Sequence, residues 1–170
     1  MTEELQQLLK NVGLGRITEI FPEQLKQAQA EDITDACGDD MARALTTRGQ
    51  RQADEVGAWL HRHLPRDAIV LASPALRTVQ TARALPRTHT VVDALAPDRG
   101  TVDALLDAAG LPNPRSRTVV IVGHQPVLGM AAALLLSGQA QPWHVKKGAV
   151  WWLRSRPHGG WDLWMVRPPQ

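Results

Sequence analysis

The run Thr118-Val119-Val120-Ile121-Val122-Gly123-His124-Gln125-Pro126 decides how this chain is built. Its unbroken series of β-branched apolar residues reads as a strand buried on both faces, the habit of a parallel sheet covered by helices. Gly123 permits a tight turn with close approach of backbone to a ligand. Pro126 suits the first turn of a helix that runs through Met130 to Leu136 and stops near Gly138. In open α/β sheets, ligands bind where the carboxyl ends of strands meet the loops, so His124 is a candidate functional residue. The bland alternative is a histidine that caps the strand and is satisfied by local hydrogen bonds.

Working backwards, Ala68 to Leu71 is a second buried-strand candidate, followed by Ser73-Pro74 and a helix from Leu76 to Leu85 closed by Pro86. Arg77 falls in the first turn of that helix. A guanidinium there offers a fixed fork of donors to a phosphoryl group. The helix dipole disfavours it, so either an anionic ligand or a carboxylate should compensate. Thr46 or Thr47 caps an earlier helix whose buried stripe is Ala53, Val56, Trp59 and Leu60, ending near Pro65. Before it, Arg16 to Phe21 reads as a short strand broken by Pro22, Glu23 to Glu31 as polar helix or loop, and Asp32 to Asp40 as loop. Leu5, Leu8, Leu9 and Val12 mark an N-terminal helix stopped by Gly13.

Working forwards, Thr90 to Val92 is a short strand and Thr101 to Ala109 a helix stopped by Gly110 and Pro112. The tail changes style. Ala149 to Leu153 and Asp162 to Val166 are Trp-rich apolar runs about a Gly159-Gly160 turn, which predicts an antiparallel hairpin. The expected fold is an α/β three-layer sandwich. It has a mostly parallel central sheet, helices on both faces and the C-terminal hairpin at one edge.

Bulk composition narrows the partners. The 170 residues suit one domain, and 19 Lys+Arg against 17 Asp+Glu give a formal charge of only +2. With no long basic run, nucleic acid is not an expected partner. Cys37 is the sole cysteine, so no internal disulfide can form. The N-terminus lacks the layout of a signal peptide, and the longest apolar run, Met130 to Leu136, is far short of a membrane span. A cytoplasmic protein without membrane contact is expected. No metal-ligand spacing is present and no cofactor is called for; the oligomeric state is not legible.

Three stretches become specific together: Thr46-x-Arg48-Gly49-x-x-Gln52-Ala53, Ser73-Pro74-x-x-Arg77-x-x-Gln80-Thr81-Ala82, and Val122-Gly-His-Gln-Pro126. In this order and spacing they resemble the histidine phosphatase superfamily, nearest its small SixA-type phosphohistidine phosphatases. The match continues through Lys147-Gly148-Ala149-Val150-Trp151-Trp152 and covers roughly residues 28 to 155. It implies a pocket of two histidines and two arginines. One histidine, in an Arg-His motif closing the first strand, attacks phosphorus, and the other three groups stabilise the transferring oxygens. By that resemblance Arg77 is the second arginine and His124 the second histidine, both catalytic and phosphate-binding. Arg48 and Lys147 are candidates for the pocket rim. The implied partner is phosphohistidine on a protein, or a small phosphoester.

The first motif departs from the family. Aligned without gaps on Ala28-Gln29-Ala30-Glu31, the arginine position falls on Lys26 and the nucleophile position on Gln27, and the preceding strand should span about residues 20 to 25. Lys26 supplies charge for phosphate binding but not a bidentate fork. Gln27 is no nucleophile, because its amide lone pair is delocalised. No histidine precedes His61. Of the others, His61, His63, His89 and His158 read as surface residues, and nothing in the spacing makes His144 an attacker. Residues 1–27 are therefore an atypical N-terminal segment, and 28–170 the phosphatase-like domain.

Three accounts stay open. The chain is a pseudophosphatase that binds or docks phosphorylated partners, or an enzyme with an unexpected nucleophile, or its first 25 or so residues are not the native start. Well-kept later motifs beside a changed first one favour the last account slightly. The chain as written is expected to have little or no turnover. The tryptophans Trp143, Trp151, Trp152, Trp161 and Trp164 are expected chiefly in hairpin packing rather than on a partner surface.

Overall fold

Strands β1 (Thr18–Phe21), β2 (Ile69–Ala72), β3 (His89–Val91), β4 (Val119–Val122), β5 (Val150–Ser155) and β6 (Trp161–Arg167) form one sheet in the order β3-β2-β4-β1-β5-β6. The computed structural model describes residues 39–111 and 117–169, and the backbone of 18–21. The pairs β2/β3, β2/β4 and β1/β4 are parallel, whereas β1/β5 and β5/β6 are antiparallel. The sheet is thus mostly parallel, with the hairpin at one edge, as the sequence pattern predicts.

The helices are α1 (Thr47–His63), α2 (Leu76–Arg83), α3 (Val102–Ala108) and α4 (Val127–Ser137). Side chains alternate along β4 and sort the core into two layers. Val119 and Ile121 join Leu71 against Leu105 and Leu106 of α3 and Leu128, Ala131 and Leu135 of α4. Val120 and Val122 join Val70 and Ala72 against Val56 and Leu60 of α1 and Ala82 of α2. Both faces of β4 are covered, which is why its sequence is apolar without alternation.

Local chemistry sets the helix ends. Thr46 Oγ1 accepts the Gly49 N–H at 3.1 Å and caps α1. Gly138, at φ +79°, closes α4 in the left-handed conformation, its N–H donating to the Leu134 carbonyl at 2.9 Å. Gly57 lets α1 cross the end of α2 closely: a Cβ there would stand 2.3 Å from the Ala84 carbonyl oxygen.

Several boundaries shift from the sequence reading. β3 begins at His89, one residue early, and α2 stops at Arg83, two residues short of Leu85. A 3₁₀ turn at Asp93–Leu95, which has no periodicity to announce it, follows β3. The hairpin carries a register irregularity between Trp152 and Leu153. Trp152 and Trp161 are buried and Trp151 half-buried, but Trp164 is 57% exposed, its ring 3.6 Å beneath the Arg154 guanidinium. Packing thus accounts for most of these rings and not for Trp164.

β1 sits centrally between β4 and β5 and ends at Phe21. The ungapped register that placed a strand over about 20 to 25 meets it only at Ile20 and Phe21. The N-terminal helix expected about Leu5 to Val12, together with Lys26, Gln27 and Cys37, lies outside the described residues. Among the described residues no helix is long and apolar enough to cross a membrane.

Candidate functional site

The carboxyl ends of β2 and β4 lie side by side, with Ala72 opposite Val122. The Ser73 N–H extends this register by donating to the Val122 carbonyl at 3.0 Å. Each strand then delivers one polar side chain to the same place, Ser73 directly and His124 after Gly123. Arg77 reaches in from the first turn of α2. Its Nη2 lies 3.4 Å from His124 Nδ1, and His124 Nε2 contacts Ser73 Oγ in a hydrogen bond. Arg77 is 1% exposed and His124 5%. The two residues the sequence singled out therefore meet.

This geometry assigns the imidazole proton. Arg77 can only donate, so Nδ1 of His124 is the acceptor, and in the neutral ring Nε2 carries the proton and donates to Ser73. Burial pushes the His124 pKa down to about 3, so the neutral form holds at ordinary pH. Burial also lowers the Arg77 pKa, and the Asp40 carboxylate beside it opposes that shift.

Asp40 is the compensation that an arginine in a helix's first turn demands. Its Oδ2 accepts from Arg77 Nη2 at 3.0 Å, and its backbone carbonyl from Nη1 at 2.5 Å. Its Oδ1 lies 2.7 Å from Nη2 of Arg43, which is 4% exposed. One carboxylate thus bridges two buried guanidinium groups, and the cluster carries one net positive charge beside a neutral imidazole. Such a cluster is suited to an oxyanion, since each guanidinium can present paired N–H donors to a tetrahedral anion.

Neighbouring residues of the sequence motifs hold this arrangement. The Thr78 hydroxyl shares its proton between the carbonyls of Ala75 (2.7 Å) and Ser73 (2.9 Å), tying α2 to the end of β2. Thr81 donates to the Arg77 carbonyl at 2.8 Å. Gln80 Oε1 accepts from the Leu45 N–H at 2.7 Å, and the Leu76 N–H donates to the Met41 carbonyl at 2.9 Å. The segment bearing Asp40 and Arg43 is thereby pinned onto α2.

The other nominated residues lie elsewhere. Arg48 is exposed in the first turn of α1, and Lys147 is half-buried before Gly148; neither lines the cleft beside His124. Lys26 and Gln27 lie outside the described residues. His61, His63, His144 and His158 are exposed, and half-buried His89 pairs with Val70, three residues before Ser73. Of the six histidines only His124 is buried. Sequence reading passed over Asp40 and Arg43, which fell in or beside a presumed loop. The available signal was a charged pair three apart, just before the Thr46 cap. Among the described residues no three His, Cys, Asp or Glu side chains gather as a metal site would require.

Comparisons place this geometry among known proteins. The model of the histidine phosphatase superfamily (branch 1) matches residues 25–98. Over 111 residues the chain is 34% identical to phosphohistidine phosphatase SixA of Escherichia coli (strain K12), covering 61% of this chain and 68% of that one. A solved structure of a candidate phosphohistidine phosphatase SixA from Nakamurella multipartitia superposes with a TM-score of 0.72 at 26% identity, over 91% of this chain and 96% of the other. A protein histidine phosphatase SixA complexed with tungstate gives a TM-score of 0.71 at 24% identity, over 90% and 97% of the two chains.

Proposed function

The chain belongs to the histidine phosphatase superfamily, in its SixA-type branch, and on that footing we propose that it binds the phosphoryl group of a phosphohistidine-bearing protein between Arg77 and His124, with Gln27 in the attacking position. The observation that carries this reading is the 3.4 Å approach of Arg77 Nη2 to His124 Nδ1 at the carboxyl ends of adjacent strands. Both groups are preformed and desolvated, so little ordering is left to be done when an anion arrives. That a SixA structure exists with tungstate, a phosphate-like oxyanion, supports the same ligand chemistry here.

The electrostatics follow from the residues. Arg77 and Arg43 spread positive charge over the phosphoryl oxygens. His124 gives its Nε2 proton to an oxygen in place of Ser73, and the bound dianion raises its affinity for a second proton. The covalent route is what the chain lacks. No histidine precedes His61, so neither the register at Gln27 nor the residues directly after β1 can supply an imidazole. An amide cannot take its place, and hydrolysis is confined to what clamping alone provides.

The test pairs the parent chain with the double variant Lys26→Arg/Gln27→His. The parent should gain thermal stability with phosphate or tungstate while leaving a phosphohistidine protein intact. The double variant should hydrolyse that protein and yield a phosphorylated side chain on rapid quench. A parent indifferent to both anions defeats the binding reading, whereas a double variant without turnover defeats the register at Gln27.

A further inference from the structure

β6 closes one side of the sheet, and among the described residues no strand pairs with its outer edge. Open edges are ordinarily blunted by lysine, proline or a covering element, because they offer unpaired backbone groups to any other strand. The run Trp161-Asp162-Leu163-Trp164-Met165-Val166-Arg167 has neither lysine nor proline. Five large hydrophobic residues are exposed among the described ones, and three of them, Leu163 (42%), Trp164 (57%) and Val166 (44%), lie on this strand. Such clustering of apolar exposure marks an interaction surface. The strand is also irregular. Trp152 stands opposite Met165 and Leu153 opposite Leu163, so Trp164 is the inserted residue of a bulge. The bulge puts Trp164 and Met165 on one face, where both line an open hollow with Trp59, Trp152 and Arg154. Asp162 and Arg167, opposite Arg154 and Val150, share that face. Leu163 and Val166, opposite Leu153 and Trp151, fall on the other.

We propose that two copies of the chain join edge to edge through β6, antiparallel and about a two-fold axis, each sheet extending the other. An axis normal to the sheet preserves its faces, so residues opposed across the seam must come from the same face. A seam centred between Trp164 and Met165 meets this condition along the strand, because the bulge has placed those two residues on one face. Trp164 then opposes Met165 of the second copy, Leu163 opposes its Val166, and Asp162 opposes its Arg167. Moving the seam by one position in either direction sets residues of different faces against each other beside its centre. In the centred register every exposed apolar side chain of β6 meets an apolar one and each acid meets a base, pairings of the kind that stabilise a sheet. The Arg154 guanidinium lies 3.6 Å from the Trp164 ring, so this side chain is held in place before association. β1 and β5 separate the seam from β4, which leaves Arg77 and His124 outside it. The proposal is independent of the phosphoryl-binding reading.

Sedimentation equilibrium of the full chain reads the assembly directly. The 18.7 kDa chain is expected at twice its mass when concentrated to about 100 µM and at its own mass near about 0.1 µM, a Kd of about 1 µM being the weak end of what specific interfaces reach. Trp164→Lys, at an exposed position, should raise that Kd about thirtyfold, as loss of a central aromatic anchor does, with an unchanged circular dichroism spectrum. The register is read by Leu163→Cys with Val166→Cys in a Cys37→Ser background. Opposed residues of an antiparallel pair stand about 4.5–5.5 Å apart at Cα, within disulfide reach, so oxidation should yield a covalent dimer. Leu163→Cys alone should yield none, because the two copies of position 163 are not opposed. A chain that keeps its single mass at about 100 µM overturns the proposal, as does one that grows past two copies, since a two-fold seam closes on itself. A dimer indifferent to Trp164→Lys, or one that the paired cysteines fail to cross-link, overturns the seam. The parent mass and the cross-link decide the matter even if the lysine variant does not fold.

Discussion

Asp40 should both stabilise the folded chain and oppose anion binding, and Asp40→Asn separates the two effects. The carboxylate lies 3.0 Å from Arg77 Nη2 and 2.7 Å from Arg43 Nη2, and these arginines are 1% and 4% exposed. Asparagine keeps the backbone carbonyl that accepts from Arg77. It removes the charge, however, and turns an N–H donor toward one guanidinium. Unit charges 4 Å apart interact by about 4 kcal/mol at an effective dielectric of 20. Removing one partner of a buried pair typically destabilises by about 3–5 kcal/mol. Because Asp40 is 31% exposed, water can replace part of the lost interaction. A net loss of about 2 kcal/mol, or about 4–8 °C in Tm for a chain of this size, is therefore expected.

An anion bound between the same guanidinium groups would no longer face the carboxylate. Relief of about 1 kcal/mol makes binding about fivefold tighter. At a phosphate concentration about a hundred times the parent Kd, the parent gains about 2.7 kcal/mol and the variant about 3.7 kcal/mol. The stability gap should thus narrow from about 2 to about 1 kcal/mol, read from urea unfolding at pH 7.5 with and without phosphate. An Asn variant as stable as the parent without phosphate refutes the pairing argument. A variant that phosphate stabilises less than the parent refutes the location of the anion.

Two further outcomes follow from the coordinates. The His124 pKa is held near 3, below its ordinary value, so the unfolded chain takes up a proton that the folded chain refuses between about pH 6.5 and 3. Stability is then intact above about pH 6.5 and falls by up to about 1.4 kcal/mol per unit as the pH drops, a slope that His124→Asn should remove; matched urea midpoints at pH 7.5 and 5.5 would expose an unchanged slope. At Gly57, alanine must push against the Ala84 carbonyl 2.3 Å away, so about 3 kcal/mol of overpacking outweighs about 1 kcal/mol of helix propensity. A Tm drop of about 4–8 °C is expected, and a variant as stable as the parent would show that α1 and α2 can separate freely.

What the sequence disclosed and what it hid follow one rule. The strands β2 and β4 and the helices α1 and α4 were readable because each buries a periodic or unbroken apolar set, so local pattern and tertiary role agree. Arg77 and His124 drew attention because each lies within a few residues of the carboxyl end of an apolar strand. Asp40 and Arg43 were not, since their role depends on contact with α2 some 35 residues later, which no periodicity encodes. The turn at Asp93–Leu95 and the cleft that borders it were hidden for the same reason.

The same contacts change what the survival of Arg77 and His124 can mean. On the proposed reading, with Gln27 at the attacking position, two retained phosphate-binding groups would suggest recent or continuing catalysis. Yet Arg77 is among the largest fully buried side chains, and through Asp40 it fastens the segment leading into α1 onto α2. His124 likewise joins the ends of β2 and β4 through Ser73. Losing either would strand buried polar partners, at about 1–3 kcal/mol for each neutral group and more for Asp40. These residues therefore have a reason to stay whether or not the chain turns over a substrate. Their presence supports a preformed anion pocket, and evidence of catalysis has to come from the attacking position alone.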